Sequence, residues 1–220
     1  MTRTPITHHL NDALLMSYSA GTLPEAFNLT VATHISMCDD CRARLGAFDS
    51  VGGALIEGCE SVAMGTDSLA ATLNRIRAAP VSAPLTQNAN TVPTSRVPAP
   101  LRDYIGDDLN AVRWRSVGMG VKQAILTTSR DATARLLYIP AGAAVPDHGH
   151  RGTELTLVLQ GAFCDEVDRF GPGDIEVADE DLTHTPVADI GLDCICLAAT
   201  DAPLRFRGLM PRIAQPFLRI

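Results

Sequence analysis

The sequence lacks any run of about 20 apolar residues, the length a membrane-spanning helix needs. Nor is Met1-Thr2-Arg3-Thr4-Pro5 followed by the apolar segment of a signal peptide. The protein is therefore expected to stay in the cytoplasm, off the membrane. Basic residues are also scarce: 18 Lys and Arg face 25 Asp and Glu, for a formal charge of -7. Affinity for nucleic acid comes largely from clustered cations displacing counterions, so direct binding to a phosphate backbone is disfavoured. Aromatic residues are few, but an apolar fraction of 46% is enough to bury a core, which excludes disorder as the default. In a reducing compartment the six cysteines read as metal ligands or small buried hydrophobes, not as a disulfide framework.

With 220 residues the chain has room for two small domains, and its rhythm changes partway along. The first 80 residues carry apolar positions at helical spacing. Asn11 and Asp12 can cap a helix through Leu14, Leu15 and Tyr18, stopped by Gly21. After Pro24, the residues Leu23, Phe27, Val31 and His34 share one face of a second helix ending near His34. A third can start at Asp39 or Asp40 and run through Leu45, Phe48, Leu55 and Ile56, weakened at Gly52-Gly53, where it can break. A fourth spans Asp67 to Ile76, and the four would form a small bundle. Five prolines between residues 80 and 100 mark a semi-extended, mobile linker. Beyond it, short β-branched and leucine-rich runs alternate with Gly, Pro and Asp, the pattern of an antiparallel sandwich or barrel. The expected architecture is thus two-domain α + β: a helical domain over 1-80, a linker over 81-98, and a β-barrel over 99-220.

All six histidines fall in or beside two ligand-like groupings. The first is His34-x3-Cys38-x2-Cys41, with His8 or His9 upstream. If His34 ends one helix and Cys41 opens the next, three ligands converge at one junction, and a fourth from the N-terminal segment would close the shell. Zinc suits four nitrogen and sulfur donors in tetrahedral array, and closed thiolate-rich shells are usually structural. A C-x-x-C pair alone would also fit a redox dithiol; His34 at its offset favours zinc, and His9 is preferred over His8.

The second grouping is Gly142-x5-His148-x-His150-x3-Glu154-x6-Gly161, followed by Gly171-Pro172-Gly173-Asp174 and then His184. On an extended strand the two imidazoles of H-x-H point to the same face; Glu154 can re-enter from the next strand, and His184 from a distant one. Three histidines and a carboxylate can bind Zn, Fe, Mn, Ni or Cu, so ligand type does not name the metal. Cys194 and Cys196 would face the same way on a strand through Leu192 to Ala198, which permits a vicinal thiol pair or an extra metal contact, although buried small hydrophobes are the favoured reading. Cys59 and Cys164 carry no pattern, and Trp114 is expected to pack on the barrel.

The second grouping resembles the first cupin motif at every defined position. The second cupin motif is recognisable in Gly171-Pro172-Gly173 and His184, although its usual Asn is absent near Val187, which weakens catalytic inference more than metal binding. The first grouping is similar to the H-x3-C-x2-C signature of zinc-binding anti-sigma domains. Together, and including the DHGHRG-x-ELTLVLQGAF run from Asp147 to Phe163, they resemble the ChrR family of anti-sigma factors. That resemblance implies a helical domain that sequesters a group IV (extracytoplasmic-function) sigma factor in a 1:1 complex, and a cupin domain needed to release it under oxidative stress such as singlet oxygen. It also implies two zinc ions: a structural one held by His9, His34, Cys38 and Cys41, and a second held by His148, His150, Glu154 and His184. The competing expectation is a cupin metalloenzyme, a dioxygenase or hydrolase, with the helices as an oligomerisation module.

Overall fold

A computed structural model describes residues 5-79, 97-203 and 205-206. Four helices come first: α1 (Asp12–Ser19), α2 (Glu25–Met37), α3 (Asp39–Glu57) and α4 (Ser68–Ala78). Their starts follow the expected capping chemistry. The Asn11 side chain accepts from the Leu14 N–H at 2.9 Å, and Gly21, at φ 67°, turns the chain after α1. Helix α2 runs three residues past His34, and one residue, Cys38, serves as its C-cap and as the N-cap of α3. Helix α3 does not break at Gly52-Gly53. A side chain added at either glycine would meet nothing within 4 Å, so the glycines cost propensity but strain no contact.

The expected four-helix bundle is reduced to three packed helices, because α4 buries none of its residues. A short helix, α5 (Ala99–Ile105), follows Pro98 and was not foreseen. It packs its buried Leu101 beside α2, and Tyr104 donates to Glu25 at 2.8 Å. Of the expected linker 81-98, residues 81-96 lie outside the described residues, while Val97 is buried.

The rest is antiparallel sheet. Its strands are β1 (Arg115–Gly118), β2 (Val121–Ile125), β3 (Thr133–Ile139), β4 (His148–Gly149), β5 (Glu154–Gln160) and β6 (Phe163–Cys164). They continue as β7 (Arg169–Phe170), β8 (Ile175–Ala178), β9 (Thr183–His184), β10 (Val187–Ala188), β11 (Cys194–Thr200) and β12 (Arg205–Phe206). One six-stranded sheet has the order β1-β2-β3-β11-β5-β8; two three-stranded sheets, β10-β6-β7 and β12-β4-β9, accompany it. The expected barrel is thus present as three separate ladders, not as one ring of hydrogen bonds, since the short strands are interrupted by Gly, Pro and Asp turns.

Alternation along the strands assigns the faces of the large sheet. On β5, Leu155 and Leu157 join a core with Leu10, Leu15, Phe27 and Val31 of the helical region, so the sheet's outer face is the floor on which the helices lie. Val158, on the other face, joins Phe163, Phe170, Cys194 and Cys196. Both faces being covered, all seven residues of β11 are buried, which explains its unbroken apolar reading.

The N-terminal segment is fastened to the barrel by Asp174. Its buried carboxylate accepts from the backbone N–H of Thr7 at 2.7 Å, of His8 at 2.9 Å and of Gly171 at 2.8 Å. Burial opposes ionisation of Asp174, but these N–H donors outweigh it and hold the carboxyl below the usual carboxylate range. The stability this group contributes is present above the unfolded carboxyl pKa and is lost as pH falls through the lower folded value. Asp174→Ala leaves three N–H groups without their acceptor, a loss of about 2–4 kcal/mol. Urea unfolding followed by circular dichroism at neutral pH should show it, and the gap from the parent protein should narrow in acid.

Candidate metal centres

Cys38 organises the first centre. At the helix junction its Sγ accepts from the Cys41 N–H at 3.4 Å, so the turn that ends α2 and starts α3 already points both sulfurs the same way. His34 arrives from the last turn of α2, and the Asp174 clasp delivers His9 from the N-terminal strand-like segment. The ligand atoms of His9, His34, Cys38 and Cys41 all lie within 4.8 Å of one another. His9 Nδ1 is 3.3 Å from Cys38 Sγ and 3.6 Å from Cys41 Sγ. A tetrahedral zinc with ordinary Zn–S and Zn–N bonds sets its sulfur and nitrogen ligands about 3.6 Å apart, so the spacing fits.

His34 fits in a second respect. Its Nδ1 faces the Gly173 carbonyl oxygen at 3.0 Å, while its buried Nε2 has no hydrogen-bond partner and faces the group. A backbone acceptor on one imidazole nitrogen is the usual device for fixing the other toward a metal. Burial lowers the His34 pKa to about 4, so the imidazole is neutral at physiological pH, as a ligand must be. Burial pushes the Cys41 thiol up to about 11, with the neighbouring Cys38 adding to it, so ionisation there calls for an adjacent cation. Of the two N-terminal histidines, His9 gathers with the group, while His8 turns away, its ring 4.3 Å from that of Phe170 and its Nε2 3.1 Å from Asp168.

The second centre lies on the inner face of the barrel. His148 on β4 pairs directly with His184 on β9, and His150 follows just beyond. The three Nε2 atoms converge: His184 is 3.3 Å from His148 and 3.4 Å from His150. Metal–nitrogen bonds of about 2.0 Å in a tetrahedral arrangement require nitrogens about 3.3 Å apart. The Pro146 carbonyl, 2.9 Å from His148 Nδ1, fixes that ring with Nε2 inward. Burial lowers the pKa of His148 and of His150, favouring neutral rings. Burial acts the same way on His184, but hydrogen bonding to Glu176 and its charge, with Asp165, outweigh it and raise the pKa to about 9.

Glu154 stands slightly apart from its three expected partners. It is buried beside them, with Oε2 3.7 Å from His150 Nδ1 and Oε1 accepting from the Thr156 hydroxyl at 3.0 Å. Its oxygens are not among the atoms that gather within 4.8 Å, so the tight group is the three imidazoles. Two carboxylates that the sequence reading missed, Asp165 and Glu176, gather on the far side of His184. Glu176 was detectable, since it is the inward-facing acid between Ile175 and Val177; Asp165, in a loop after β6, gave no pattern. Cys194 and Cys196 are buried on the inner face as expected, their sulfurs 3.5 Å apart. Cys59 is exposed and Cys164 half-buried.

Chemically the two centres differ. The first is a closed set of two sulfurs and two nitrogens, suited to a structural zinc. The second presents three nitrogens with a carboxylate nearby, which leaves room for an exogenous ligand on a divalent transition metal. His9→Ala should cost the protein the zinc of the first centre, while His8→Ala should retain it. Metal content after dialysis against a mild chelator distinguishes the two variants.

Comparison with known proteins extends over both centres. The family model described as the ChrR cupin-like domain matches residues 104–202. The anti-sigma-E factor ChrR of Cereibacter sphaeroides is 61% identical over 220 residues, covering 98% of this chain and 99% of that protein. The crystal structure of Rhodobacter sphaeroides SigE in complex with the anti-sigma ChrR contains a chain 60% identical, with a TM-score of 0.78, covering 89% of this chain and 99% of that one. Helices, sheet and both centres fall inside one continuous likeness, and the chain belongs to the ChrR family of anti-sigma factors.

Proposed function

We propose that this protein holds a group IV sigma factor inactive in a 1:1 complex in the cytoplasm and releases it under oxidative stress such as singlet oxygen. The observation that carries the reading is the identity of 61% to an anti-sigma-E factor across nearly the whole chain. That relative is a regulator, so the metalloenzyme alternative loses its ground. Localisation in the cytoplasm agrees with the helices, none of which is long and apolar enough among the described residues to cross a membrane.

In this reading the domains divide the labour: residues 1-80 capture the sigma factor, 81-98 link, and 99-220 sense. The first centre holds a structural zinc through His9, His34, Cys38 and Cys41; the second holds a metal, zinc by family, through His148, His150 and His184 with Glu154. The capture surface has physical support. Helix α3 buries only Cys41, and along its second half Val51, Leu55 and Ile56 are exposed. Leu69 and Ile76 on α4 are exposed as well, Leu69 by 71%. Apolar side chains this numerous on one stretch of a soluble chain mark a surface that a protein partner covers. Tertiary contacts do not need them, so they can be changed without unfolding the protein.

Release requires that the stimulus alter which arrangement of helices and partner is favoured. The helices and the barrel share one core, so a change in the barrel that alters the seating of α2 on the sheet also acts on α3.

Two measurements test the proposal. Leu55→Asp and Ile76→Asp should weaken sigma-factor binding by about 100-fold or more in a titration, as charges at the centre of an apolar interface do, with the melting temperature unchanged. Binding at parental affinity would refute the assignment of the surface. His148→Ala and His184→Ala should still bind the sigma factor, yet sigma-dependent transcription should stay low in cells exposed to singlet oxygen. Normal induction in these strains would rule out a sensory role for the barrel metal.

A further inference from the structure

His184 differs from the other two imidazoles of the barrel centre in what lies behind it. His148 has a backbone carbonyl at its Nδ1, and His150 Nδ1 has no hydrogen-bond partner. His184 Nδ1 instead meets two carboxylates, Asp165 Oδ2 at 3.1 Å and Glu176 Oε1 at 3.1 Å. Neither carboxylate is there by accident of an exposed acidic surface. Glu176 is buried on the inward face of β8, and the Asp165 side chain is fully covered where it meets His184.

Asp165 is also held rigidly. Its other oxygen, Oδ1, accepts from the backbone N–H of Val167 at 2.9 Å and of Asp168 at 3.0 Å, so the loop after β6 is wrapped around this one carboxylate. A side chain tied by two main-chain donors on one oxygen has its second oxygen aimed, and it is aimed at His184. Glu176 approaches the same ring nitrogen from β8.

We propose that Asp165 and Glu176 are the positioning residues of the barrel centre, holding His184 with its Nδ1–H outward and its Nε2 directed at the metal between His148 and His150. The proposal rests on the reading above that these imidazoles hold a metal. The physical reason is general: an imidazole whose remaining N–H is donated to a carboxylate has a fixed tautomer, a fixed ring plane and a more electron-rich coordinating nitrogen. His184 is therefore the strongest of the three nitrogen donors and the one on which metal retention depends most.

The test uses the full-length protein loaded with Co(II) and competed with chelators of graded strength. Sulfur-to-cobalt charge transfer reports the first centre, and total bound cobalt less that first equivalent reports the second, so each centre is followed separately. Asp165→Asn, Glu176→Gln and the double substitution should weaken the barrel centre by about 10- to 100-fold, leaving the sulfur centre unchanged. Asp165→Asn, which keeps an acceptor oxygen for the two loop N–H groups, should hold the loop yet lose barrel affinity; a purely structural role would spare the affinity of that variant. Thermal unfolding of the metal-free forms shows whether a variant folds, and the near-isosteric Asn and Gln variants carry the test. Affinities within twofold of the parent in the double variant would overturn the inference alone. A further metal equivalent that disappears with Asp165→Asn would overturn it too, by making the carboxylates ligands. An unsubstituted protein whose barrel binds no Co(II) or Zn(II) would overturn the metal reading together with the inference.

Discussion

Helix α2 is buried on most of its circumference: Ala26, Phe27, Leu29, Val31 and His34 are covered, and so are Thr30 and Thr33. The two threonine hydroxyls satisfy themselves within the helix, on the carbonyls of Ala26 at 3.1 Å and Leu29 at 2.7 Å, so both can be enclosed without an unmet hydroxyl. At its N-terminus Glu25 receives Tyr104 of α5 and the Ser129 N–H of a sheet loop. At its C-terminus it presents His34 and the Cys38 junction. The remaining parts are placed by reference to this one helix: α1 and α3 across it, α5 beside it, the six-stranded sheet beneath it. Any shift of α2 is a shift of a metal centre as well.

Much of this was legible in the sequence, and the reasons are local. Asn11, Gly21, Pro24 and Cys38 set helix ends through their own backbone and side-chain chemistry, and His34, Cys38 and Cys41 are close enough along the chain for their spacing to fix their convergence. The barrel histidines were legible through a motif whose spacing encodes strand geometry. Three things were not. The common core of helices and sheet was hidden because Leu155 and Leu157 look alike whether they face a helix or a solvent-shielding loop. The detachment of α4 was hidden because an amphipathic pattern says that a face wants covering, not what covers it. Asp165 was hidden because its role comes from a ring 19 residues away in sequence, without periodicity to announce it.

The two centres make opposite use of burial. In the first, burial raises the Cys41 thiol, so a cation and the thiolates would stabilise one another. In the second, burial favours neutral rings at His148 and His150, while the carboxylates behind His184 act on that imidazole in the opposite direction. Three imidazoles with a carboxylate nearby would leave the coordination sphere of a divalent ion incomplete.

One contact links these designs. The carbonyl that orients His34 belongs to Gly173, in the turn of the barrel where a side chain would collide with Ile6 and where φ is 95°. The helical half thus borrows part of the surroundings of its His9, His34, Cys38 and Cys41 group from the other half of the molecule. A helical fragment transplanted onto an unrelated sensor would carry all four ligands and still lack the acceptor that fixes one of them. For heredity, this means that the two halves are constrained to diverge together: a lineage that exchanges its barrel must keep a glycine-borne carbonyl at this spot or re-solve the orientation of His34 by other means.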